Sequence, residues 1–357
     1  MKIINFLQHA RDRIRRAVGI IMFDRARVVS QNDDGPIVMI RWDAKLGDAI
    51  VSSWVPREIH RAQPGREIWV VTTSEMAPLF RDHFEVDRVI EVPKRSGYGE
   101  LKRLANALGH VGYLVHFGKH LKMKDIYFLS QVDASHVAGL DDSLFCIDIK
   151  LGQETAGIHF STKFEVLLKH MGIIAPDTSY IVPSVNEVEK EVGAWWSTHN
   201  TICFNPYGSG VARSFSIDKA VELVDTMLRS SKFNICLLYP PDNEKEILLI
   251  KSKVCEPTRV IFYQESPSLP ALFAQVRNCI GMVSVDTATV HIATGLNKPV
   301  LGIYNANFGM EENVEWHPNN HRSSVIYAKA RASQQSVNFI DMADFKVAFD
   351  KWVSDFL

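Results

Sequence analysis

The sequence predicts an α/β protein built of two doubly wound, Rossmann-like domains that face a central cleft. One observation is its length of 357 residues, which exceeds the usual size of a single domain. A second is the alternation of short apolar runs with helical patterns from residue 36 onward, which is typical of parallel sheets. A third is a single break in this rhythm near residues 171–192. Together they predict two domains of roughly 150 residues each.

The first domain is expected at residues 35–183, after an amino-terminal segment of residues 1–34. Its predicted strands are IVMIR, EIWVVTT, RVIEV, YLVHFG and SHVAGL. Its first two helices are expected near residues 48–62 and 76–84. Because proline favours extended chain before it, the segment around Pro176 and Pro183 is the predicted linker.

The second domain is expected at residues 184–335, where the alternation of strands and helices restarts. Its predicted strands begin with TICFN and end with PVLGIY. Its helices are expected near residues 216–230, 243–253 and 269–278, and after Thr287. Residues 336–357 are expected to form a carboxy-terminal helix that packs back on the first domain. Doubly wound sheets bind ligands where strands end and helices begin, so candidate sites are expected at those junctions.

The composition is that of an ordinary globular protein, with 46% hydrophobic residues, 23% charged residues and a formal net charge of -1. These values argue against a disordered chain and against a protein that coats nucleic acid, so no nucleic-acid partner is expected. The five cysteines show no CxxC or Cys/His metal spacing, which is typical of reduced, buried thiols in the cytoplasm. No run of about 20 apolar residues is present, so a membrane-spanning helix is not expected.

Residues 1–28 differ from the rest of the chain because they carry seven Lys or Arg residues and only two Asp residues. Apolar side chains recur there at helical spacing, at Leu7, Ala10, Ile14, Val18 and Ile21. One interpretation is an interfacial helix that binds the anionic inner face of the cytoplasmic membrane. The other is a terminal helix whose apolar stripe packs on the protein itself while its arginines are solvated. The sequence leaves both open.

The first candidate site follows the predicted strand IVMIR, in the stretch RWDAKLGDAI. Gly47 permits a tight turn from strand to helix, and Arg41 and Lys45 add positive charge around it. Asp48 stands in the first turn of the next helix, where the helix dipole favours a carboxylate. Its alternative role is that of a general base, which would take a proton from an acceptor hydroxyl.

The second candidate site is the glycine-rich stretch NPYGSGVARSF. The small residues Ser209 and Gly210 let the backbone approach a ligand closely, and Arg213 carries a charge that suits phosphate oxygens. The spacing is neither that of a dinucleotide-binding loop nor that of a P-loop. A flexible turn with a solvated arginine explains the stretch equally well.

The third candidate site is the stretch SVDTATVHIATG, where a strand ends and a helix begins. Asp286 and Thr287 stand where a helix needs capping oxygens, a role typically worth about 1 kcal/mol. The functional alternative is that free N–H groups at the helix start attract a diphosphate. His291 follows one turn later on the same side as Thr287.

These three stretches together resemble the bacterial lipopolysaccharide heptosyltransferases, glycosyltransferase family nine. IRWDAKLGDAIVSSWVPREIHRAQPGREIWVVT is similar to the amino-terminal signature of that family, and SVDTATVHIATGLNKPVLGIY is similar to its carboxy-terminal signature. The loop NPYGSGVARSF lies where the family has its phosphate-contacting loop. The resemblance extends over residues 37–310 in the same order.

The resemblance implies a GT-B fold and an inverting, metal-independent glycosyltransferase. The implied donor is ADP-L-glycero-D-manno-heptose and the implied acceptor is the lipid A-core oligosaccharide of lipopolysaccharide, with no cofactor and no metal. Asp48 would be the catalytic base, and Arg41, Lys45 and Gly47 would lie on the acceptor side. The residues that would bind the donor are Ser209, Gly210, Arg213, Glu244, Asp286, Thr287, Ala288, Thr289 and His291.

Three departures from the family pattern leave the donor sugar open, and one of them is that the loop lacks the usual tryptophan-proline pair after Arg213. Ala288 stands where the family has glycine, and Arg213 stands where it usually has lysine. A family member that uses another nucleotide sugar or another acceptor is therefore one alternative. A GT-B-related nucleotide-sugar epimerase and a non-catalytic nucleotide-sugar-binding protein are two others.

Overall fold

The computed structural model describes residues 2–27, 33–42, 45–196, 200–265, 268–306, 310–330 and 334–357. Residues 28–32 of the predicted amino-terminal segment lie outside these ranges. The chain divides into two compact units. The first unit comprises Met1–Lys45 and Ser52–Thr178, and the second comprises Leu46–Val51 and Ser179–Leu357. The short segment that carries Gly47 and Asp48 therefore groups with the second unit, although the chain on both sides of it belongs to the first.

The first unit contains a sheet of six parallel strands. In chain order they are β1 (Ile37–Arg41), β2 (Ile68–Thr72), β3 (Arg88–Glu91), β4 (His110–His116), β5 (Asp133–Gly139) and β6 (Ile149–Lys150). Their order across the sheet is β3-β2-β1-β4-β5-β6, so the direction of winding reverses between β1 and β4. Every residue of β1 is buried, as expected for a parallel strand that helices cover on both faces.

The helices of this part of the chain differ from the prediction at one point. They are α1 (Lys2–Phe23), α2 (Leu46–Val51), α3 (Val55–Ala62), α4 (Ala77–His83), α5 (Tyr98–Leu108), α6 (Met123–Gln131) and α7 (Phe160–His170). The prediction of one helix over residues 48–62 is wrong, because a turn at residues 52–54 separates α2 from α3. Pro56 is the second residue of α3, and proline is tolerated in the first turn of a helix but not in its interior.

The amino-terminal helix α1 packs on the first unit through one of its faces. A Cβ atom on Gly19 would lie 2.9 Å from Met123 Cα, so glycine lets α1 approach α6 this closely. One turn later, Phe23 packs edge-on against Tyr127, with ring centroids 5.0 Å apart. The docked face of α1 is therefore the one that carries Gly19 and Phe23.

The predicted apolar stripe of α1 lies on a different face. Ile14, Val18 and Ile21 are exposed, so the interpretation that this stripe packs on the protein is wrong for these three residues. The side chain of Leu7, which was predicted to extend the stripe, lies outside the described part of the chain.

The second unit contains another sheet of six parallel strands. In chain order they are β7 (Thr201–Asn205), β8 (Asn234–Leu237), β9 (Val260–Ile261), β10 (Gly281–Val285), β11 (Val300–Asn305) and β12 (Ser323–Ala328). Their order is β12-β11-β10-β7-β8-β9, and the winding reverses between β7 and β10. The prediction ended the sheet at β11 and missed β12, a partly exposed edge strand without the continuous apolar run of the others.

The helices of the second half of the chain build the core of this unit. They are α8 (Asn186–Trp195), α9 (Ile217–Ser230), α10 (Glu244–Lys253), α11 (Leu269–Asn278), α12 (Ala288–Gly295), α13 (Met310–Trp316) and α14 (Met342–Phe356). Phe345, Phe349 and Trp352 recur along one face of α14 and are fully buried in the core of the second unit. The helix α14 thus belongs to the second unit, and its packing on the first domain stays a prediction.

Two other expectations concern cysteines and membrane spans. All five cysteines are free thiols, and four of them are buried as expected, whereas Cys255 is exposed. Among the helices of the described residues, none has both the length and the apolar character needed to cross a membrane.

Candidate active site

The switch point of the second sheet brings two predicted motifs together. Ser284 of β10 pairs with Asn205 of β7, so these neighbouring strands end side by side. The glycine-rich loop follows β7, and Asp286 and the start of α12 follow β10. Ligands of open parallel sheets bind outside the carboxyl ends of the strands where the winding reverses. The candidate donor site therefore lies at this point of the second unit.

Arg213 and Asp286 form an ion pair across this switch point. Arg213 Nη1 lies 3.1 Å from Asp286 Oδ2, and the side chains are 41% and 23% exposed. The contact holds the guanidinium beside the first turn of α12. Because the carboxylate offsets part of the arginine charge, an anionic ligand would meet less positive charge here than the sequence alone predicts.

The amino terminus of α12 is not capped by the residue that was expected to cap it. Thr287 is the N-cap residue, with φ of -164° and ψ of 179°, but its side chain makes no capping hydrogen bond. The prediction of a capping hydroxyl is therefore wrong for Thr287. Backbone N–H groups at a helix start together with the helix dipole favour anions, and half-buried Ala288 stands in this first turn.

Thr289 is buried and ties α12 to the two strands below it. Asn205 Nδ2 donates a hydrogen bond of 2.9 Å to Thr289 Oγ1, and Ser284 Oγ lies 2.8 Å from the same atom. Ser284 donates its own proton to the carbonyl of Val285 at 2.8 Å, so the Thr289 hydroxyl donates to Ser284. These hydrogen bonds link the side chains of Asn205, Thr289 and Ser284 into one network, which fixes α12 at the strand ends.

The glycine-rich loop curls tightly back on itself. A Cβ atom on Gly208 would lie 2.5 Å from the carbonyl oxygen of Arg213, so this position requires glycine. Gly210 has a φ of 88°, in the region that L side chains rarely adopt. Ser209 and Gly210 are exposed at the tip of the loop.

Residues distant along the chain hold this loop in place. Asn338 Nδ2 donates to the carbonyl of Ser214 at 2.9 Å, and its Oδ1 accepts from the N–H of Ser216 at 2.8 Å. Asn305 Nδ2 donates to the carbonyl of Ala212 at 3.0 Å. The alternative of a flexible turn does not describe a loop anchored in this way.

Gly47 brings α2 against α12. A Cβ atom on Gly47 would lie 3.1 Å from His291 Cδ2 and 3.4 Å from Ala288 Cα, so α2 packs directly on the first turns of α12. Asp48 follows in the first turn of α2 and is partly exposed. The predicted base and the predicted donor residues of α12 therefore belong to one compact unit.

His291 is itself buried in this contact. Its side chain is only 3% exposed, and its ring meets the edge of Trp316 at a centroid distance of 5.9 Å. The geometry therefore gives His291 a packing role between α2 and α13, beside the role in donor binding that the resemblance implies.

The remaining predicted residues are Arg41, Lys45 and Glu244. Arg41 ends β1 in the first unit, is buried, and has its guanidinium 5.9 Å from the centroid of the Phe164 ring. Lys45 is exposed in the same unit. Glu244 is exposed at the start of α10 and accepts a hydrogen bond of 3.3 Å from Gln264.

Several supporting residues were missed from the sequence, namely Asn205, Ser284, Asn305, Trp316 and Asn338. A polar residue near the end of each of the apolar strands TICFN and GMVSV is the signal that could have indicated the first two.

The charge of Asp286 also affects a neighbouring tyrosine. Burial, and next the nearby Asp286 carboxylate, raise the pKa of Tyr304 well above its ordinary value. Its hydroxyl stays protonated and donates to the carbonyl of Trp316 at 3.0 Å. Within the described ranges, no group of three or more His, Cys, Asp or Glu side chains could hold a metal ion.

Sequence comparisons point to one family. The profile of glycosyltransferase family 9 (heptosyltransferase) matches residues 159–341, slightly more than half of the chain. A protein of Escherichia coli K12 that is provisionally named lipopolysaccharide heptosyltransferase 4 is 22% identical over 333 residues. The matched region covers 90% of this chain and 87% of that protein.

Solved structures of the same family share the fold. A family 9 glycosyl transferase from Veillonella parvula gives a TM-score of 0.72 at 15% identity, covering 93% of this chain and 100% of the other. The Escherichia coli heptosyltransferase WaaC with ADP gives a TM-score of 0.62 at 15% identity, covering 90% of this chain and 100% of the other. With the two parallel six-stranded sheets, this likeness confirms the predicted GT-B fold.

Proposed function

Because the chain belongs to glycosyltransferase family 9, the heptosyltransferases, we propose that it transfers a heptose from ADP-L-glycero-D-manno-heptose to the lipid A-core oligosaccharide of lipopolysaccharide. The observation that carries the proposal is the ion pair that places Arg213 beside Asp286, just before the start of α12 and at the switch point of the second sheet. An Escherichia coli relative named for lipopolysaccharide and a structural relative that binds ADP support the choice of acceptor and donor.

The leaving group in this reaction is ADP, whose diphosphate gains negative charge as the bond to the sugar breaks. The Arg213 guanidinium and the backbone N–H groups at the start of α12 stabilise that charge. The proposal therefore includes no metal ion and no cofactor besides the donor substrate. Thr289 supports this site indirectly, because its hydrogen bonds hold α12 in place.

Asp48 is the general base of the proposed reaction. Its carboxylate takes the proton of an acceptor hydroxyl while the oxygen attacks the anomeric carbon, and the bond to the diphosphate breaks with its electron pair. A direct attack of this kind inverts the anomeric configuration. The support is positional, since Asp48 is partly exposed and Gly47 packs its helix against the donor residues of α12.

The identity of donor and acceptor is tested by product analysis. Purified protein is incubated with lipopolysaccharide from a heptose-deficient strain and with ADP-heptose, ADP-glucose or UDP-glucose in separate reactions. The proposal predicts a mass increase of one heptose on the acceptor with ADP-heptose, and release of ADP in equal amount. Transfer from another nucleotide sugar alone, or conversion of the donor without any change of the acceptor, would contradict it.

The proposal also includes a partner surface, the anionic inner face of the cytoplasmic membrane. Ile14, Ile21 and Met22 are 65%, 72% and 55% exposed. Ile14 precedes Phe23 by nine residues, so it points away from the docked face of α1. An apolar stripe on the outward face of a docked helix suits insertion into the boundary of a lipid bilayer.

The charges of α1 add to this contact. Arg11 is exposed and lies one turn before Ile14, on the same side of the helix. Arg16 instead binds inward, with Nη1 2.8 Å from Asp141 Oδ2. Arg16 therefore contacts the first unit, whereas Arg11 is exposed beside the apolar stripe, where a basic group adds about 1 kcal/mol near an anionic surface.

A further inference from the structure

Phe145 is a large apolar side chain that the first unit exposes to water, in the loop between β5 and β6. It is 67% exposed, whereas its neighbours Leu144, Cys146 and Ile147 are buried in the core of that unit. An apolar side chain that is exposed on its own is common on protein surfaces and needs no explanation. Phe145, however, is tied to the end of α1, which has an exposed apolar stripe of its own.

Asp24, the residue that follows α1, holds the backbone of Phe145. Its Oδ2 accepts a hydrogen bond of 3.0 Å from the N–H of Phe145, and its Oδ1 accepts one of 2.8 Å from the N–H of Cys146. The N–H of Asp24 donates to the carbonyl of Ile20 at 3.1 Å, so the helical turn continues to Asp24. Asp24 therefore lies one turn after Ile21 on the same side, and Phe145 follows the exposed stripe at this end of the helix.

A second contact joins α1 to the same loop. Arg16 Nη2 donates to Ser143 Oγ at 2.8 Å and to Asp141 Oδ1 at 3.0 Å. Arg16 and Asp24 are about two turns apart, so the loop is fixed to α1 at two points. An aromatic side chain on a fixed backbone loses little conformational freedom when it meets a partner.

The exposed apolar side chains of α1 and of this loop form one surface, which we call the anchoring patch. Its members are Ile14, Val18, Ile21, Met22 and Phe145. Apolar surface that stays exposed over several neighbouring residues is typical of a site that binds a membrane or another protein. Because the patch draws on two elements, it is broader than the stripe of α1 alone.

The cations beside the anchoring patch are exposed. Arg25 lies one turn after Ile21 and is exposed. Lys150 is also exposed, and its Nζ lies 6.0 Å from the centroid of the Phe145 ring. A cation over an aromatic ring is attracted to the ring face, so this contact keeps a positive charge at the edge of the patch.

The carboxylates close to Phe145 are, in contrast, engaged by the protein. Asp24 and Asp141 are buried. Asp142 is half-buried, and its carboxylate accepts the N–H groups of Gly152 and Gln153 at 2.8 Å and 2.7 Å. The charges that face a partner here are therefore the positive ones, which favours an anionic surface over a neutral one.

We propose that Phe145 is a second membrane anchor, which inserts together with the stripe of α1 into the boundary of an anionic lipid bilayer. Arg25 and Lys150 contact the lipid phosphates, because a long basic side chain keeps its charge at the level of the headgroups while apolar groups beside it enter the lipid. The inference rests on the proposed membrane partner of α1. Two inserted elements fix the orientation of the first unit on the surface, whereas a single helix leaves rotation about its own axis free.

The first test measures the affinity of the full chain for vesicles of phosphatidylglycerol and phosphatidylcholine in equal amounts, with no nucleotide sugar present. Phe145→Ser should weaken binding about tenfold, the loss expected when a phenylalanine side chain no longer leaves water. The matched control is Ile174→Ser, because Ile174 is 81% exposed in the same unit but outside the anchoring patch. It should bind like the wild type.

The outcomes separate this inference from the membrane role of α1. If Ile14→Ser combined with Ile21→Ser lowers vesicle binding and Phe145→Ser does not, the inference is wrong while the role of α1 stands. If neither variant lowers binding, both are wrong. A loss in Ile174→Ser as large as that in Phe145→Ser would also overturn the inference, as would a wild-type dimer in solution that Phe145→Ser dissociates, since a second copy of the chain would then cover the patch.

The second test reports the position of residue 145 directly. A fluorophore sensitive to polarity is attached to Phe145→Cys in a Cys255→Ser background, because Cys255 is the exposed thiol and the other four cysteines are buried. Its emission should shift to the blue on addition of the anionic vesicles, and a spin label on the lipid chains should quench it. The same fluorophore on Ile174→Cys should show neither change. An unchanged spectrum at position 145 while the protein is bound to vesicles would overturn the proposal.

Discussion

At the scale of single residues, the proposed binding of a donor diphosphate depends on the positive charge of Arg213. Its guanidinium lies 3.1 Å from Asp286 and beside the start of α12. We predict that Arg213→Ala weakens donor binding and slows transfer by about tenfold or more, because a charge-assisted hydrogen bond is worth about 1.5–3 kcal/mol. Arg213→Lys should restore much of the loss. Steady-state kinetics with varied donor concentration measures both effects.

The control for this prediction is Arg229→Ala, which removes an exposed arginine of the same unit that pairs with Asp225. It should leave the kinetics unchanged. If Arg213→Ala behaves like Arg229→Ala, the guanidinium pairs with Asp286 but has no part in donor binding.

Gly47 is the residue on which the contact between α2 and α12 depends. An added Cβ atom would lie 3.1 Å from His291 Cδ2, so Gly47→Ala forces the buried ring or α2 to shift. We predict a loss of about 1–3 kcal/mol in the free energy of unfolding, the usual range for overpacking. Urea denaturation measures the change.

Gly193→Ala is the matched control for this substitution. Gly193 lies within α8, and no atom approaches the position of an added Cβ atom within 4 Å. Alanine there should stabilise the protein by up to about 1 kcal/mol, because glycine is a poor helix former. A Gly47→Ala variant as stable as the wild type would show that the contact with His291 is looser than the structure indicates.

At the scale of elements, α1 has two faces with different partners. We predict that Ile14→Ser combined with Ile21→Ser lowers binding to vesicles that contain anionic phosphatidylglycerol and leaves the fold intact, because both side chains are exposed. Co-sedimentation with vesicles at low and high salt measures the effect, and binding of the wild type should fall as salt rises.

Val347→Ser serves as the control for the α1 variant, since Val347 is 69% exposed on α14 and outside the proposed membrane surface. It should bind vesicles like the wild type. Vesicle binding that is insensitive both to the α1 substitutions and to salt would contradict a membrane role for α1.

The positions of most elements could be predicted because buried parallel strands are continuous apolar runs. The motif residues could be predicted for a related reason, because each lies in the loop that directly follows a buried strand. They are Arg213 after β7, and Asp286 and Thr287 after β10. β12 was missed because an edge strand keeps polar residues on its open side. The break between α2 and α3 was missed because the helical spacing of apolar residues continues across it.

The supporting residues of the site could not be predicted in the same way. Asn338 and Trp316 reach the site from segments distant along the chain, and only the folded second unit brings them to the glycine-rich loop and to His291. The pairing of Arg213 with Asp286 is likewise a property of two neighbouring strand ends, and each motif taken alone gave no sign of it.

At the scale of the whole molecule, the proposed chemistry uses side chains and helix N–H groups in place of a metal ion. We predict that transfer activity survives treatment with EDTA, because Arg213 and the start of α12 supply the charge stabilisation. Activity is compared before and after chelation, and again after addition of magnesium or manganese. Loss on chelation that either metal restores would contradict this part of the account.

The most direct test of the central claim, a glycosyl transfer with Asp48 as base, is single-turnover transfer by Asp48→Asn beside an ADP-binding titration. The account predicts that transfer from ADP-heptose falls by about 10²–10⁴-fold, the usual contribution of a general base, while ADP affinity stays that of the wild type. Asp218→Asn, which neutralises a carboxylate that is 87% exposed, should change neither value. A transfer rate close to that of the wild type in Asp48→Asn would contradict the account.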